Sequence, residues 1–230
     1  MNGNYKCNNM PLPRVLEPEV MSGADEAAEY EEMDFSATDR LFSERAAELA
    51  ARGVQHIVDI GSGNAKIPLT MCSLLSPAVR VCAVDMSAEM LAVAARNRVR
   101  QGAMQLRLIA GDAKRLPFAD ASVSMVTSNS LIHHIPDPRD VFREIARITR
   151  PGAPILIRDL FRPDNQAALD QLVREMASQW SPLQRKLFED SLHAALTLAE
   201  VRQMLDECGL ADVRVAQITN RHWSAERGLQ

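Results

Sequence analysis

The segment from Ile57 to Asp85 constrains the fold of this chain more than any other. An apolar strand pattern is followed by Gly61-Ser62-Gly63, then by a helical pattern and a second apolar run that ends in Asp85. This order predicts a β–α–β unit with a glycine-rich turn after its first strand. Because Gly61 and Gly63 carry no Cβ, the backbone can turn tightly there and lie close to a ligand.

The position of Asp85 indicates what such a unit binds. A carboxylate at the end of the second strand can accept hydrogen bonds from the two hydroxyl groups of a ribose. We therefore expect a cofactor that contains adenosine. Lys66 stands where the dinucleotide fingerprint has a third small residue, which counts against a nicotinamide cofactor but leaves a nicotinamide oxidoreductase as one alternative.

Predicted strands and helices alternate along the chain, which favours an α/β fold with a doubly wound, seven-stranded, mostly parallel sheet. The strands are expected at His56–Ile60, Val79–Val84, Gln105–Ala110, Val123–Asn129, Pro154–Asp159, Asp212–Ile218 and His222–Ala225. The helices between them are expected at Ala65–Leu75, Ala88–Gln101 and Asp137–Thr149, with a later one that starts in a capping box at Thr197 and ends at Gly209.

Two segments lie outside this alternation. We expect residues 1–51 to form an N-terminal arm and a helical lid, in which Asp25–Ala51 is helical, and residues 52–230 to form the cofactor-binding domain. A helical insert is predicted at about 162–195, as a small cap. Its apolar side chains either line an acceptor pocket or pack against one another inside the insert. These side chains are Phe161, Met176, Trp180, Leu183 and Phe188.

Composition excludes several classes of partner. The net charge of −4 provides no basic surface for nucleic acid. No apolar run approaches the ~18 residues that a membrane span requires. The four cysteines (Cys7, Cys72, Cys82 and Cys208) have no metal-ligand spacing, and we expect no metal site. A cytoplasmic protein is expected, and its oligomeric state stays open.

Five motifs in order resemble those of the class I S-adenosylmethionine-dependent methyltransferases, which have a Rossmann-like fold. The branch they are most similar to includes quinone-pathway C-methyltransferases. The motifs are Val58-Asp59-Ile60-Gly61-Ser62-Gly63-Asn64-Ala65, Ala83-Val84-Asp85-Met86-Ser87, Gly111-Asp112-Ala113, Ser128-Asn129-Ser130-Leu131-Ile132-His133-His134, and Arg143 to Gly152. The sequence departs from the family pattern at Ala65, Ser124 and Ala153.

The resemblance implies S-adenosylmethionine as the cofactor, S-adenosylhomocysteine as the product and a small-molecule acceptor. It also implies a role for each matching position. Asp59, Gly61, Ser62 and Gly63 would meet the methionine portion, Asp85 the ribose, Met86 the adenine face, and Asp112 and Ala113 the adenine edge. Apart from the resemblance, Asn129 and Ser130 are expected beside the donor because ligands of parallel α/β sheets bind outside the carboxyl ends of the strands. Tyr30 is expected to fold over the donor as part of the N-terminal lid and is a candidate cofactor-binding residue. For Asp112, a simple turn residue is the alternative.

The His133-His134 pair is the candidate catalytic group. A histidine at the rim of the sheet can accept a proton from an acceptor O–H or C–H group. The alternative is that the pair only caps the fourth strand and bonds the backbone. Arg158-Asp159 lies at the same rim, where it either orients an acceptor or forms a structural ion pair. For the protein as a whole, the alternative to a methyltransferase is a non-catalytic S-adenosylmethionine-binding regulator or assembly protein.

Overall fold

The computed structural model describes residues 11–17, 35–51, 53–176 and 180–228. Tyr30 and Cys7 lie outside these ranges, as does the first part of the predicted helix Asp25–Ala51. The helices are α1 (Ser36–Ala50), α2 (Lys66–Leu74), α3 (Ala88–Gln101), α4 (Arg139–Ile148), α5 (Gln166–Met176), α6 (Pro182–Ala194) and α7 (Leu198–Glu207). The strands are β1 (His56–Ile60), β2 (Arg80–Asp85), β3 (Leu106–Ala110), β4 (Met125–Asn129), β5 (Ile155–Leu160), β6 (Arg214–Gln217) and β7 (His222–Arg227).

The strands form one seven-stranded sheet in the order β3-β2-β1-β4-β5-β7-β6. All neighbours from β3 to β5 pair in parallel, whereas β7 pairs antiparallel with both β5 and β6. The prediction of a doubly wound, mostly parallel sheet is confirmed. The chain moves outward from β1 to β3 and then returns to the other side of β1 as β4. Ligands of such sheets bind at this reversal, outside the carboxyl ends of the strands.

The sheet is buried on both faces, as expected for parallel strands between helices. One face packs against α1, α2 and α3 through residues such as Phe42, Leu69 and Leu106. The other face packs against α4 and α7 through residues such as Phe142 and Leu205. The core therefore holds the carboxyl ends of β1, β2 and β4 in fixed relative positions.

Local sequence signals set several boundaries as predicted. The Ser87 hydroxyl accepts a hydrogen bond from Met90 N–H at 3.2 Å, which caps α3. Thr197 and Glu200 form the expected capping box of α7. In contrast, β4 begins at Met125 and not at Val123, because the intervening Ser124 hydroxyl bonds the backbone at the start of β1.

The insert forms two helices, α5 and α6, with an apolar cluster of its own. This cluster contains Leu160, Leu169, Leu172, Phe188 and Leu192, and it also buries Leu12 from the N-terminal segment. For Phe188, the alternative that the insert buries its own apolar residues is thus the correct one. Trp180 lies at the half-buried edge of the cluster, where its ring packs against Phe188 at a centroid distance of 5.4 Å.

Residues 11–17 are held against the rest of the protein by hydrogen bonds. Leu12 N–H donates to Asp164 O and Val15 N–H donates to His193 O, both at 3.1 Å. The Arg14 guanidinium donates to Ala194 O at 2.7 Å and to both Ile135 O and Pro136 O at 2.8 Å. This single side chain therefore joins the end of α6 to the loop after β4.

None of the helices in the described part of the chain combines the length and the apolar character that a membrane crossing requires.

Candidate active site

The glycine turn after β1 is tied to the end of β2. The N–H groups of Gly61 and Ser62 both donate to Val84 O, at 2.9 and 3.0 Å. Gly61 and Gly63 have φ values of +71° and +52°, in the left-handed region that favours glycine. A Cβ on Gly61 would lie 2.8 Å from Leu131 Cδ1, so the turn also lies against the loop after β4.

Asp85 is bonded to the same turn. Its Oδ2 accepts a hydrogen bond from Gly63 N–H at 2.7 Å, and its Oδ1 accepts one from Ser87 N–H at 2.8 Å. An ionised carboxylate has about four lone-pair sites, so each oxygen can still accept a hydroxyl proton. The arrangement fixes the carboxylate without using up its capacity to bind a ribose.

Asp59 is buried inside the sheet next to this turn. Its Oδ1 accepts a hydrogen bond from the Thr127 hydroxyl of β4 at 2.7 Å. Burial, aided by the nearby charge of Asp85, raises the pKa of Asp59 to about 7 although the Thr127 hydrogen bond opposes the shift. A positive group placed near Asp59 would favour its charged form. The ammonium group of an amino-acid tail is such a group.

The residues with implied adenine contacts lie beyond β2 and β3. Met86 is 47% exposed, as expected for an apolar side chain that a planar ring could cover. Gly111 N–H donates to Asp85 O at 3.0 Å, which brings the two strand ends together. The Asp112 carboxylate accepts from Lys114 N–H at 2.8 Å, so Asp112 also stabilises a turn, and the neighbouring Ala113 is half-buried.

The end of β4 has an unusual backbone conformation. Ser130 has φ +55° although it is not glycine, and its N–H donates to Arg158 O at 2.9 Å. The Asn129 side-chain amide donates to the Ser130 hydroxyl at 3.1 Å. Ala65 likewise has φ +62°, in the place of the third glycine of the family. Strained residues of this kind cluster at ligand-binding sites.

The Ser62 hydroxyl gives a direct test of whether a polar ligand fits this turn. Its oxygen is buried and has no hydrogen-bond partner among the described residues. A buried polar group of this kind normally has a partner, so the turn offers a group for a ligand to bond. Together with the Asp85 carboxylate and the exposed Met86, these features fit S-adenosylmethionine.

His133 and His134 lie in a short 3₁₀ turn (Ile132–His134) that follows β4. His133 is buried, and its Nδ1 lies 2.5 Å from Asp159 Oδ1 in β5. Asp159 also accepts hydrogen bonds from Ile132 N–H at 2.5 Å and from Leu160 N–H at 2.6 Å. The two imidazole rings pack with their centroids 4.1 Å apart. The side chain of His134 is 19% exposed, so it is the more accessible of the two.

Glu17 completes this group from the N-terminal segment. Its Oε1 lies 2.9 Å from His134 Nδ1 and 3.4 Å from His133 Nε2. Burial alone would raise the pKa of Glu17, but the hydrogen bond to His134 and the charge of His133 lower it below its usual value. Burial alone would lower the pKa of His133, but Asp159 and Glu17 on either side raise it.

Arg158 and Asp159, although adjacent, face opposite sides of the sheet because side chains alternate along a strand. Asp159 pairs with His133, whereas the Arg158 guanidinium lies over the Phe42 ring, 5.3 Å from its centroid. Asp159 therefore belongs to the histidine cluster, and Arg158 to the face of the sheet that packs against α1.

Sequence reasoning missed Glu17, Thr127, Leu131 and Arg14. Each acts through a partner that is remote along the chain, so no local pattern could have indicated it. The separation is 119 residues between Arg14 and His133.

A cleft of about 370 Å³ lies beside the insert, between α5 and the loop that joins β6 to β7. It is lined by polar residues such as Arg162, Asp164, Gln171 and Asn220, together with Phe161 and Leu172. The proposed donor residues do not line it, so it is separate from the glycine turn.

A sheet of this order, with a tight glycine turn after β1 and a carboxylate at the end of β2, defines an α/β protein of the class I methyltransferase type. Residues 58–157 match the family model described as "Methyltransferase domain".

Two curated relatives cover most of the chain. The demethylmenaquinone methyltransferase of Mycolicibacterium paratuberculosis is 30% identical over 187 residues, which are 80% of this chain and 75% of that protein. The 27-O-demethylrifamycin SV methyltransferase of Amycolatopsis mediterranei is 30% identical over 213 residues, which are 88% and 71% of the two chains.

A solved structure shares the fold at low identity. It is the plantazolicin methyltransferase BpumL in complex with a desmethyl analogue and S-adenosylhomocysteine. The two structures match with a TM-score of 0.70 and 14% sequence identity, and the match covers 90% of each chain.

The chain belongs to the S-adenosylmethionine-dependent methyltransferases, and S-adenosylmethionine is its methyl donor. This result decides against the nicotinamide oxidoreductase, and the relatives give no support to a non-catalytic regulator.

Proposed function

We propose that this methyltransferase modifies a small organic acceptor, and not nucleic acid, in the cytoplasm. The acidic net charge of −4 supports the first part, because no excess of positive charge is available for a phosphate backbone. The two relatives described above are named for small molecules, a quinone precursor and a rifamycin. The acceptor of this chain is accordingly a metabolite with a hydroxyl group or an acidic carbon.

The observation that carries the donor site is the pair of hydrogen bonds that join Asp85 to Gly63 and Ser87. They hold the Asp85 carboxylate where it would accept the ribose hydroxyls. We assign the methionine portion to Asp59 and to the turn at Gly61, Ser62 and Gly63. The adenine would lie against Met86, with Asp112 and Ala113 at its edge, and Asn129 and Ser130 would lie beside the reacting methyl group.

S-adenosylmethionine supplies an electrophilic methyl group, so the protein has to position an acceptor and to remove a proton. His134 is the better candidate for the proton acceptor because it is more accessible than His133. His133, which Asp159 holds from behind, would orient its neighbour. We assign residues 1–51 as an arm and lid and residues 162–195 as the cap over the acceptor.

The test is methyl transfer by the purified protein. Wild type is incubated with S-adenosylmethionine and a panel of hydroquinones, phenols and a metabolite extract, and products are followed by mass spectrometry. We expect methylated product and S-adenosylhomocysteine in equal amounts. His134→Ala should lower turnover at least tenfold with unchanged donor affinity, whereas Asp140→Ala on the exposed face of α4 should match wild type. Donor binding without any methylated product would contradict the proposal.

A further inference from the structure

We propose that Glu17, His133 and His134 form a binding site for a divalent transition-metal cation. The three candidate ligand atoms are Glu17 Oε1, His133 Nε2 and His134 Nδ1, and they lie within 4.8 Å of one another. Two imidazole nitrogens and one carboxylate oxygen make up a ligand set that Zn²⁺ commonly uses. This inference does not depend on the identity of the methyl acceptor.

The spacing of these atoms supports a cation between them. Tetrahedral Zn²⁺ with bonds of about 2.1 Å separates its ligand atoms by about 3.4 Å. The distance of 3.4 Å between Glu17 Oε1 and His133 Nε2 matches that separation and is long for a charge-assisted hydrogen bond. The distance of 2.9 Å between Glu17 Oε1 and His134 Nδ1 would widen by about half an ångström.

Asp159 contacts the ring nitrogen of His133 that is not a candidate ligand. Its Oδ1 lies 2.5 Å from His133 Nδ1, which holds that nitrogen as the N–H donor and directs the Nε2 lone pair toward Glu17. Metal-bound histidines usually donate their second N–H to a carboxylate in this way. The backbone N–H groups of Ile132 and Leu160 in turn fix the Asp159 carboxylate.

Charge and burial also favour a cation. The Glu17 and Asp159 carboxylates lie on either side of His133, and the side chains of Glu17 and His133 are only 10% and 5% exposed. The opposing charge is the Arg14 guanidinium, whose N–H groups are directed to backbone carbonyls. Because Glu17 belongs to the N-terminal segment, a bound cation would join residues 11–17 to the loop after β4. A ligating nitrogen cannot also accept a proton, so the cation and an acceptor proton compete for His134.

The test is a Zn²⁺ titration by calorimetry of the full chain without an affinity tag and without S-adenosylmethionine, after removal of metal with a chelator. Co²⁺ serves as a second probe, through the visible absorption bands of tetrahedral coordination. We expect one Zn²⁺ per chain with micromolar or tighter affinity. Glu17→Gln keeps the size of the side chain and should weaken binding at least tenfold, as should His134→Ala.

Two matched variants control for the loss of one carboxylate and one imidazole. Glu44 lies in α1 and His56 at the start of β1, both away from the cluster. The variants Glu44→Gln and His56→Ala should bind Zn²⁺ as wild type does. A second readout is tryptic cleavage after Arg14, which Zn²⁺ should slow in wild type but not in Glu17→Gln. Absence of stoichiometric binding would overturn the proposal. Equal affinity of wild type and Glu17→Gln would overturn it as well.

Discussion

The Asp85 carboxylate accepts a 2.7 Å hydrogen bond from the N–H of Gly63, so the turn after β1 and the end of β2 form one rigid unit. Two further contacts reinforce this bond: Ser87 N–H donates to the other carboxylate oxygen, and Gly61 N–H in the turn donates to Val84 O of β2. Because this bond joins the glycine turn to Asp85, the spacing between them in the sequence indicates a nucleoside-binding unit.

Replacement of Asp85 by alanine should weaken S-adenosylmethionine binding by tenfold or more. The variant loses charge-assisted hydrogen bonds to the ribose, which contribute roughly 1.5–3 kcal/mol. Titration calorimetry on the folded variant measures the effect, with Asp140→Ala as the control. An Asp85→Ala protein that binds the donor as wild type does would remove this residue from the site.

Gly61→Ala should destabilise the protein more than Gly102→Ala does. Both positions have positive φ, at +71° and +64°, but only at Gly61 would a Cβ meet another side chain, at 2.8 Å from Leu131. The strain common to both is about 1 kcal/mol, and the contact with Leu131 adds about 1–3 kcal/mol. Urea denaturation gives the two free energies of unfolding.

The double variant Gly61→Ala/Leu131→Ala tests the cause of that difference. Removal of the Leu131 side chain should make the alanine at position 61 less costly than it is in the wild-type background. Equal losses of stability in the single variants Gly61→Ala and Gly102→Ala would show that the contact is unimportant.

Asp59→Asn should stabilise the protein at pH 8 but not at pH 4. The folded-state pKa of about 7 lies above the ordinary value of 3.8, so the folded state retains a proton that the unfolded chain has lost between these values. The stability of wild type therefore falls as the pH rises from about 4 to about 7, by at most about 4 kcal/mol.

The asparagine variant does not titrate at this position and can still accept the Thr127 hydrogen bond. Its free energy of unfolding should exceed that of wild type increasingly as the pH rises through this interval, and the excess should level off above pH 7. A difference between the two proteins that does not change with pH would contradict the assignment to Asp59.

Arg14→Lys should destabilise the attachment of the N-terminal segment. The guanidinium reaches carbonyls of both Ala194 and Ile135, and a lysine ammonium cannot span the same set of acceptors. We expect a loss of about 1–3 kcal/mol in the free energy of unfolding. Arg174→Lys, on the exposed face of α5, is the matched control and should leave stability unchanged.

The sequence predicted those features whose determinants are local. Helix α3 has its predicted bounds because Ser87 caps its start and Gly102, in a left-handed conformation, ends it. The strand-and-helix alternation likewise predicted a doubly wound, mostly parallel sheet of seven strands. The start of β4 was wrong by two residues, since the Ser124 hydroxyl is engaged by β1, a partner 68 residues away.

The site was predictable only in part for the same reason. The glycine turn and Asp85 lie within one β–α–β unit, so their spacing carried the information. The contact of Glu17 with the histidine pair joins the N-terminal segment to the loop after β4, and the segment around Glu17 has no periodic pattern to place it. Whether His133 and His134 act in catalysis stays a prediction.

The order of strands has a consequence for how such a protein diversifies. The residues assigned to the donor lie between β1 and the loop after β4, whereas α5 and α6, the proposed cap over the acceptor, follow β5. On that assignment, substitutions in α5 and α6 would change which compound is recognised while the donor residues keep their places. The methyl-donor chemistry would then be inherited with the sheet, and the choice of substrate would be acquired at its margins.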